Sequence, residues 1–138
     1  FLAYLILGIP EKISAQSQFS PTGVDVQTSM IFQYKNAQAV LYCGITNNSE
    51  NEAKICGTEA EIVLPGRWHD TEFITLIRND EVSTTNLPTV GVGYTHEINE
   101  VNQCIAQSLT ESSLWSNQNA LELALLIEKV RDISGIIN

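Results

Sequence analysis

The stretch Gly57-Thr58-Glu59-Ala60-Glu61-Ile62-Val63-Leu64-Pro65 predicts a β-hairpin, and with it a fold built on a sheet. Two strand-like runs, Glu52–Cys56 and Glu61–Leu64, flank the tight turn of this hairpin. Pro65 ends the second run because proline has no N–H to donate to a neighbouring strand. We therefore expect two adjacent antiparallel strands here, with further strands on either side.

Other runs with strand character precede and follow this hairpin. From Asp25 to Tyr34, apolar and polar side chains largely alternate, with the period of two that marks a half-buried strand. Further strands are predicted at Lys12–Ser20, Gln38–Thr46, Phe73–Arg78 and Glu81–Thr85. The turns Lys35-Asn36-Ala37 and Asn79-Asp80 contain asparagine, which tolerates the left-handed conformation of tight turns. Successive strands with short turns indicate a mainly antiparallel sheet.

Two long helices are predicted after the strands. The first has an apolar stripe with helical spacing, formed by Tyr94, Ile98, Val101, Ile105 and Leu109. The second has a similar stripe, formed by Ala120, Leu123, Ile127 and Val130. The order of elements predicts an α+β fold: an open, mainly antiparallel sheet with helices packed on one face, in two layers. We interpret residues 1–138 as a single domain of this kind.

The charge balance argues against two classes of partner. The chain has 16 acidic and 7 basic residues, a net charge of −9, and such a surface repels phosphate backbones and anionic lipids. We therefore expect neither a nucleic-acid nor a membrane partner, and we interpret the acidity itself as a means of solubility. We interpret the apolar segment Phe1–Leu7 as the end of a helix. Gly8 and Pro10 end this segment far short of the ~20 residues that a membrane-spanning helix needs.

The three cysteines, Cys43, Cys56 and Cys104, include no C-x-x-C pair. Cys43 and Cys56 fall in strand-like runs and Cys104 in a helical one. We interpret all three as buried free thiols that act as small hydrophobic groups, which predicts a reducing, cytoplasmic location.

Three segments carry a resemblance to a known family. They are the hairpin at Gly57–Pro65, then Gly93–Val101, and then Leu109–Leu114 before the last helix. In this order and spacing they resemble the C-terminal domain of the glucose–fructose oxidoreductase/inositol dehydrogenase (Gfo/Idh/MocA) family, particularly its dihydrodiol-dehydrogenase-like members. The likeness covers nearly the whole chain. It implies a parent enzyme that transfers hydride between NAD or NADP and a sugar, cyclitol or related polyol, with its N-terminal dinucleotide-binding Rossmann domain absent here.

The elements that carry this family's chemistry are not found in the chain. Gly91-Val92-Gly93-Tyr94-Thr95-His96 has a histidine at the third glycine of G-x-G-x-x-G, and it does not follow a buried strand. Glu11-Lys12 is followed by Ile13, so it departs from the family's Glu-Lys-Pro motif. The family's acid/base residue would lie upstream of Phe1. We expect no catalytic or cofactor-binding residue and no turnover by this chain alone; the alternative is a non-enzymatic binding or dimerisation module with the same sheet.

Two clusters remain as candidate sites. Arg67, Trp68 and His69 lie on a loop that the resemblance places near the substrate end of the interdomain cleft, which makes them candidate substrate-binding residues. In the alternative, Trp68 packs the sheet edge and its charged neighbours are solvated. His96 and Glu100, four residues apart, resemble part of an H-E-x-x-H zinc motif, but without a third ligand we expect a solvated helix face and no metal.

One face of the predicted sheet is too apolar to suit water. Ile31, Val40 and Tyr42 project from the face that the two long helices are not expected to cover. Members of the resembling family pair by packing these open faces together. We therefore expect a homodimer whose interface contains Ile31, Val40 and Tyr42.

Overall fold

The computed structural model describes residues 1–136. Its helices are α1 (Leu2–Leu7), α2 (Thr95–Ala106) and α3 (Asn117–Ser134), with a short 3-10 helix at Trp68–Asp70. Its strands are β1 (Lys12–Phe19), β2 (Asp25–Gln33), β3 (Gln38–Gly44), β4 (Ala53–Cys56), β5 (Glu61–Leu64), β6 (Phe73–Arg78) and β7 (Glu81–Asn86). The strands and helices predicted from the periodicity are all present, so the α+β prediction is confirmed. The 3-10 helix was not expected.

The strands form two antiparallel sheets, where the sequence predicted one. Sheet A has the order β1-β2-β3 and sheet B the order β4-β5-β6-β7. The chain divides accordingly into two compact units: unit 1 is Phe1–Asn48 with the segment from Ser113 onward, and unit 2 is Ser49–Ser112. The interpretation of the whole chain as one substrate and oligomerisation domain stays a prediction.

Unit 1 is a two-layer structure in which α3 packs against sheet A through β1. Alternation along the strands turns Ile13 and Phe32, which are directly paired across β1 and β2, toward the helices. Leu126 and Val130, four residues apart on one face of α3, meet them. These residues, together with Tyr4 and Tyr34, form the buried hydrophobic core.

Helix α3 is well defined at both ends. The Ser116 side chain accepts a hydrogen bond from the Asn119 backbone, and the Asn119 side chain accepts one from the Ser116 backbone, which completes a capping box. At the other end Gly135 adopts a left-handed conformation with φ 79°, where a side chain would be strained. The last helix therefore begins and ends as its sequence requires.

Unit 2 consists of sheet B and α2, and its side chains are less buried than those of unit 1. None of its described residues is among the buried residues of the molecule. The predicted apolar stripe of α2 is present but exposed: Ile98 is 56% exposed, Val101 51% and Ile105 69%. Unit 2 thus presents apolar side chains of both its helix and its strands at the surface.

The cysteine prediction is wrong in part. Cys43 and Cys56 are exposed, and Cys104 is half-buried, although all three are free thiols. Cys43 lies near the end of β3, an edge strand of sheet A, and it is not part of the buried core. Within residues 1–136, no helix is long and apolar enough to cross a bilayer.

Candidate functional site

The loop after β5 is held by the segment that precedes β4. The Trp68 backbone N–H donates a hydrogen bond of 2.9 Å to the Asn51 carbonyl. At Gly66 the two backbones approach closely, since a Cβ there would lie 2.7 Å from the Glu50 carbonyl oxygen. Only glycine permits that approach. Pro65 and Gly66 therefore end the strand and fix the position of the three residues that follow.

Arg67 makes both of the contacts that close this loop. It has φ 60° and ψ 52°, a left-handed conformation that is uncommon for a residue with a long side chain. Its guanidinium reaches across the turn to the Asp70 carboxylate, with an Nη2–Oδ2 distance of 3.0 Å. The Asp70 backbone N–H in turn donates to the Arg67 carbonyl at 2.7 Å. Backbone strain of this kind is concentrated at functional sites more often than elsewhere.

Trp68 and His69 stand beside this ion pair. Their rings meet edge to face with centroids 5.7 Å apart, Trp68 half-buried and His69 exposed. We call the four residues from Arg67 to Asp70 the loop cluster. The cluster combines an indole surface, which can stack on an apolar ring face, with guanidinium and imidazole groups that can hydrogen-bond to hydroxyls. The half-buried Trp68 and the Arg67–Asp70 pair also fit part of the alternative in which this loop is structural.

The second candidate cluster, on α2, differs from its prediction. His96 is exposed, as expected for a solvated helix face, but Glu100 is half-buried. The Ser112 hydroxyl donates a short hydrogen bond to Glu100 Oε1, and the Cys104 thiol donates to the same oxygen at 3.6 Å. Glu100 therefore ties the segment after α2 back onto the helix. Among the described residues, no group of three His, Cys, Asp or Glu side chains is placed to hold a metal ion.

Two thiols are poorly suited to nucleophilic chemistry. Burial, with the nearby Glu100 carboxylate, raises the pKa of the Cys104 thiol. The hydrogen bond of 3.5 Å that the Cys56 thiol donates to the Glu61 carboxylate is the main cause that raises the pKa of this thiol. Because the thiolate is the nucleophile, a raised pKa lowers reactivity at neutral pH.

Unit 1 contains a groove that the sequence did not predict. It has a volume of about 290 Å³ and is lined mainly by apolar side chains of α1, sheet A and α3, and its two charged lining residues are Asp25 and Arg131. Two of its three aromatic lining residues, Phe1 and Tyr4, contact the Trp115 ring at 5.0 and 5.7 Å between centroids. No spacing in the sequence signals such a groove, because it arises from how α1 and α3 meet the sheet.

The residues predicted to lie in a dimer interface share one face of sheet A. Ile31 and Val40 are direct cross-strand partners, and Tyr42 lies opposite Ser29 on the same face. All three are exposed in the single chain: 42% for Ile31, 75% for Val40 and 45% for Tyr42. The structure brings these residues together on the side of the sheet opposite to the core.

By sequence, the chain is similar to trans-1,2-dihydrobenzene-1,2-diol dehydrogenases. It is 31% identical over 134 residues to the protein from Xenopus tropicalis, covering 92% of this chain and 41% of that protein. It is 32% identical over 136 residues to the protein from Sus scrofa, with 92% and 40% covered. The chain thus spans about two fifths of the length of the curated relatives it matches. No profile of a known protein family matches it.

The fold is shared with solved oxidoreductases of low sequence identity. UDP-N-acetylglucosamine 3-dehydrogenase from Acidithiobacillus ferrooxidans superposes with a TM-score of 0.81 at 12% identity, over 96% of this chain and 43% of that one. Aldose-aldose oxidoreductase from Caulobacter crescentus gives 0.76 at 10% identity, over 95% and 43%. At such identities the likeness is one of fold alone. The resemblance predicted from the motifs is confirmed: the chain is homologous to the C-terminal part of the dihydrodiol dehydrogenases and has the fold of the Gfo/Idh/MocA oxidoreductases.

Proposed function

We propose that the chain is the substrate-side and oligomerisation part of an NAD(P)-dependent oxidoreductase that acts on a sugar, cyclitol or related polyol. The observation that carries this proposal is the sequence similarity to the dihydrodiol dehydrogenases over 92% of the chain. A dinucleotide-binding domain belongs to the proposed whole enzyme. Within these 138 residues no G-x-G-x-x-G turn is found, so NAD or NADP binds elsewhere in that enzyme.

The loop cluster is the proposed contribution of this chain to substrate binding. Polyol substrates present hydroxyls around an apolar carbon frame, and the cluster offers an indole beside hydrogen-bond donors. The Arg67 guanidinium has five N–H donors, of which the pair with Asp70 uses only a part. In this proposal Trp68 covers one face of the substrate, while Arg67 and His69 hydrogen-bond to its hydroxyls.

A single-tryptophan variant tests this role directly. The chain has two tryptophans, so Trp115→Phe leaves Trp68 as the only indole reporter. We expect saturable fluorescence quenching of this variant by a cyclitol or an aromatic dihydrodiol, and weaker quenching after Arg67→Ala. The matched Trp68→Phe protein, which keeps Trp115 in unit 1, should show no such change. Equal quenching in both single-tryptophan proteins would refute a role for the loop cluster.

Cofactor binding gives an independent test of the proposal that another domain of the enzyme binds NAD or NADP. Titration of NADH or NADPH, followed through nicotinamide fluorescence, should show no saturable binding to the 138-residue chain. Tight binding, with turnover of any polyol, would show that the chain carries chemistry that the proposal assigns to another domain.

Self-association is the second part of the proposal. Alternation places Lys12, Ser14, Gln16, Ser29, Ile31, Gln33, Val40 and Tyr42 on the open face of sheet A. Among these described residues Lys12 is the only charged one, in a chain that has 16 acidic residues. Depletion of charge at the centre of a surface is typical of protein interfaces. We propose that two copies pack these faces together, and that three free thiols suit a cytoplasmic location.

A further inference from the structure

Strand β7 forms one edge of sheet B. It pairs with β6 on one side, and no described strand pairs with its other side. The opposite edge of the same sheet, β4, has only four residues and carries Lys54, a charge that discourages further pairing. β7 has six residues, all exposed, and no charged side chain from Val82 to Asn86. Native proteins usually protect such edges, so an unprotected one indicates a partner strand.

The turn before β7 decides which backbone groups point outward. Asn79 and Asp80 have φ 50° and 65°, the two positive values of a two-residue type I′ hairpin turn. Arg78 and Glu81 therefore close the hairpin as a hydrogen-bonded pair, and such pairs alternate along an antiparallel ladder. The Leu87 N–H bonded to the Glu72 carbonyl at 2.6 Å continues the same alternation.

It follows that Val82, Thr84 and Asn86 direct their N–H and C=O groups away from β6. These residues are centred on Thr84, and three donors and three acceptors are spaced evenly along the edge. An antiparallel copy of the same strand presents the matching pattern, with Val82 opposite Asn86 and Thr84 opposite its own equivalent. Valine and threonine also suit strand pairing through their branched side chains.

We propose that β7 pairs with β7 of a second copy of this chain, antiparallel and with the two-fold axis at Thr84. The acidic turn residues support this direction. Asp80 and Glu81 lie at one end of each strand, so antiparallel pairing places the two acidic ends far apart. Parallel pairing would place them side by side, where like charges repel. The contact is distinct from the open face of sheet A and joins two copies of sheet B into one eight-stranded sheet.

A charge-swap experiment tests the register. All proteins carry Val40→Glu, which removes association through sheet A, and sedimentation equilibrium measures the remaining dimer. Thr84→Lys and Thr84→Glu each place like charges directly opposite each other across the axis, so each alone should weaken association at least about fivefold. An equimolar mixture of the two should restore association, because lysine then faces glutamate.

The matched control is Asn86→Lys, which changes the same edge and the same face. In the proposed register its two lysines lie on opposite sides of the axis, so association should weaken far less than with Thr84→Lys. Circular dichroism confirms that each variant is folded. Failure of the mixture to associate, or equal weakening by Asn86→Lys and Thr84→Lys, would overturn the proposed pairing, as would a strictly monomeric Val40→Glu protein.

Discussion

The Tyr4 hydroxyl on α1 donates a hydrogen bond of 2.6 Å to the Glu122 carboxylate on α3. Residues 118 positions apart in the chain are thereby joined in unit 1. The Asn119 side-chain amide donates to the Tyr4 oxygen at 3.1 Å, and the Gln118 amide donates to the other Glu122 oxygen at 2.8 Å. Because Asn119 also completes the cap of α3, this network fixes the start of α3 against α1.

The first prediction concerns the pH dependence of this network. Hydrogen bonds from Gln118 and then Tyr4 lower the pKa of Glu122. Because the pKa of Glu122 is lower in the folded state than in the unfolded state, its ionised carboxylate stabilises the fold at pH values above the ordinary carboxyl pKa. This stabilisation is lost as the pH falls through the pKa of the folded state. Tyr4→Phe should therefore lower the urea midpoint at neutral pH, with a difference from the native chain that shrinks in acid. Tyr94→Phe, at an exposed ring, is the control and should change neither quantity.

At alkaline pH the contribution of the Tyr4–Glu122 pair to stability should fall as the pH rises. The Asn119 hydrogen bond lowers the pKa of Tyr4, but the Glu122 hydrogen bond and burial together outweigh it, so the net pKa is raised. The protonated Tyr4 hydroxyl therefore stabilises the fold at pH values below the ordinary phenol pKa. This stabilisation is lost as the pH rises through the raised pKa of Tyr4 in the folded state. An alkaline unfolding transition that is unchanged by Tyr4→Phe would contradict this assignment.

The second prediction contrasts two leucines on α3. Leu126 is 7% exposed in the core, whereas Leu121 is 54% exposed. Leu126→Ala should lower the free energy of unfolding by about 2–5 kcal/mol, because it removes buried methyl groups and leaves a cavity. Leu121→Ala should change it by no more than about 0.5 kcal/mol. Denaturant melts followed by circular dichroism measure both, and equal losses would show that the core is placed wrongly.

Most elements of the fold could be predicted from the sequence because their signals are local. Alternation marks β2, proline stops β5, and Asn79-Asp80 adopts the left-handed turn that was expected. The turn at Lys35–Ala37 was predicted less well, since none of its residues has a positive φ. Asparagine permits the left-handed conformation without requiring it.

The errors of prediction concern which elements meet. Alternation identifies the two faces of a strand but does not say which strand lies beside it, so the separation into sheets A and B was not foreseen. Glu100 was assigned to a solvated face because helical spacing alone shows only its neighbours on α2. Its partner Ser112 lies beyond the helix, and a chain reversal brings it back. The family motifs, in contrast, gave the correct relatives because they depend on residue order.

The third prediction follows from this corrected role of Glu100. Glu100→Ala should lower the free energy of unfolding by about 1 kcal/mol, since it removes a half-buried acceptor of two hydrogen bonds. His96→Ala, at an exposed position on the same helix, should change it by no more than about 0.5 kcal/mol. A double-mutant cycle with Ser112→Ala measures the coupling between Glu100 and Ser112. A coupling of zero would show that their contact contributes nothing to stability.

The fourth prediction addresses backbone strain in the loop cluster. Arg67→Ala and Arg67→Gly both remove the ion pair with Asp70, but glycine adopts φ 60° without the strain of a side chain. The glycine variant should therefore be more stable than the alanine variant by roughly 1 kcal/mol. Thermal unfolding of the two proteins makes the comparison. Equal stability would indicate that residue 67 leaves the left-handed conformation when its guanidinium is removed.

The last prediction tests the dimer through sheet A. A stable homodimer should bury about 1,600 Å² in total, and the cross-strand pair of Ile31 and Val40 would lie near its centre. Val40→Glu places a carboxylate on each side of that desolvated centre, where two like charges are costly. Sedimentation equilibrium should then show loss of the sheet A contact, with only the proposed association through β7 remaining. Val92→Glu is the matched control, because this valine is 87% exposed in unit 2 and should leave the dimer intact. Dissociation by both variants would indicate a general charge effect, and dissociation by neither would place the interface elsewhere.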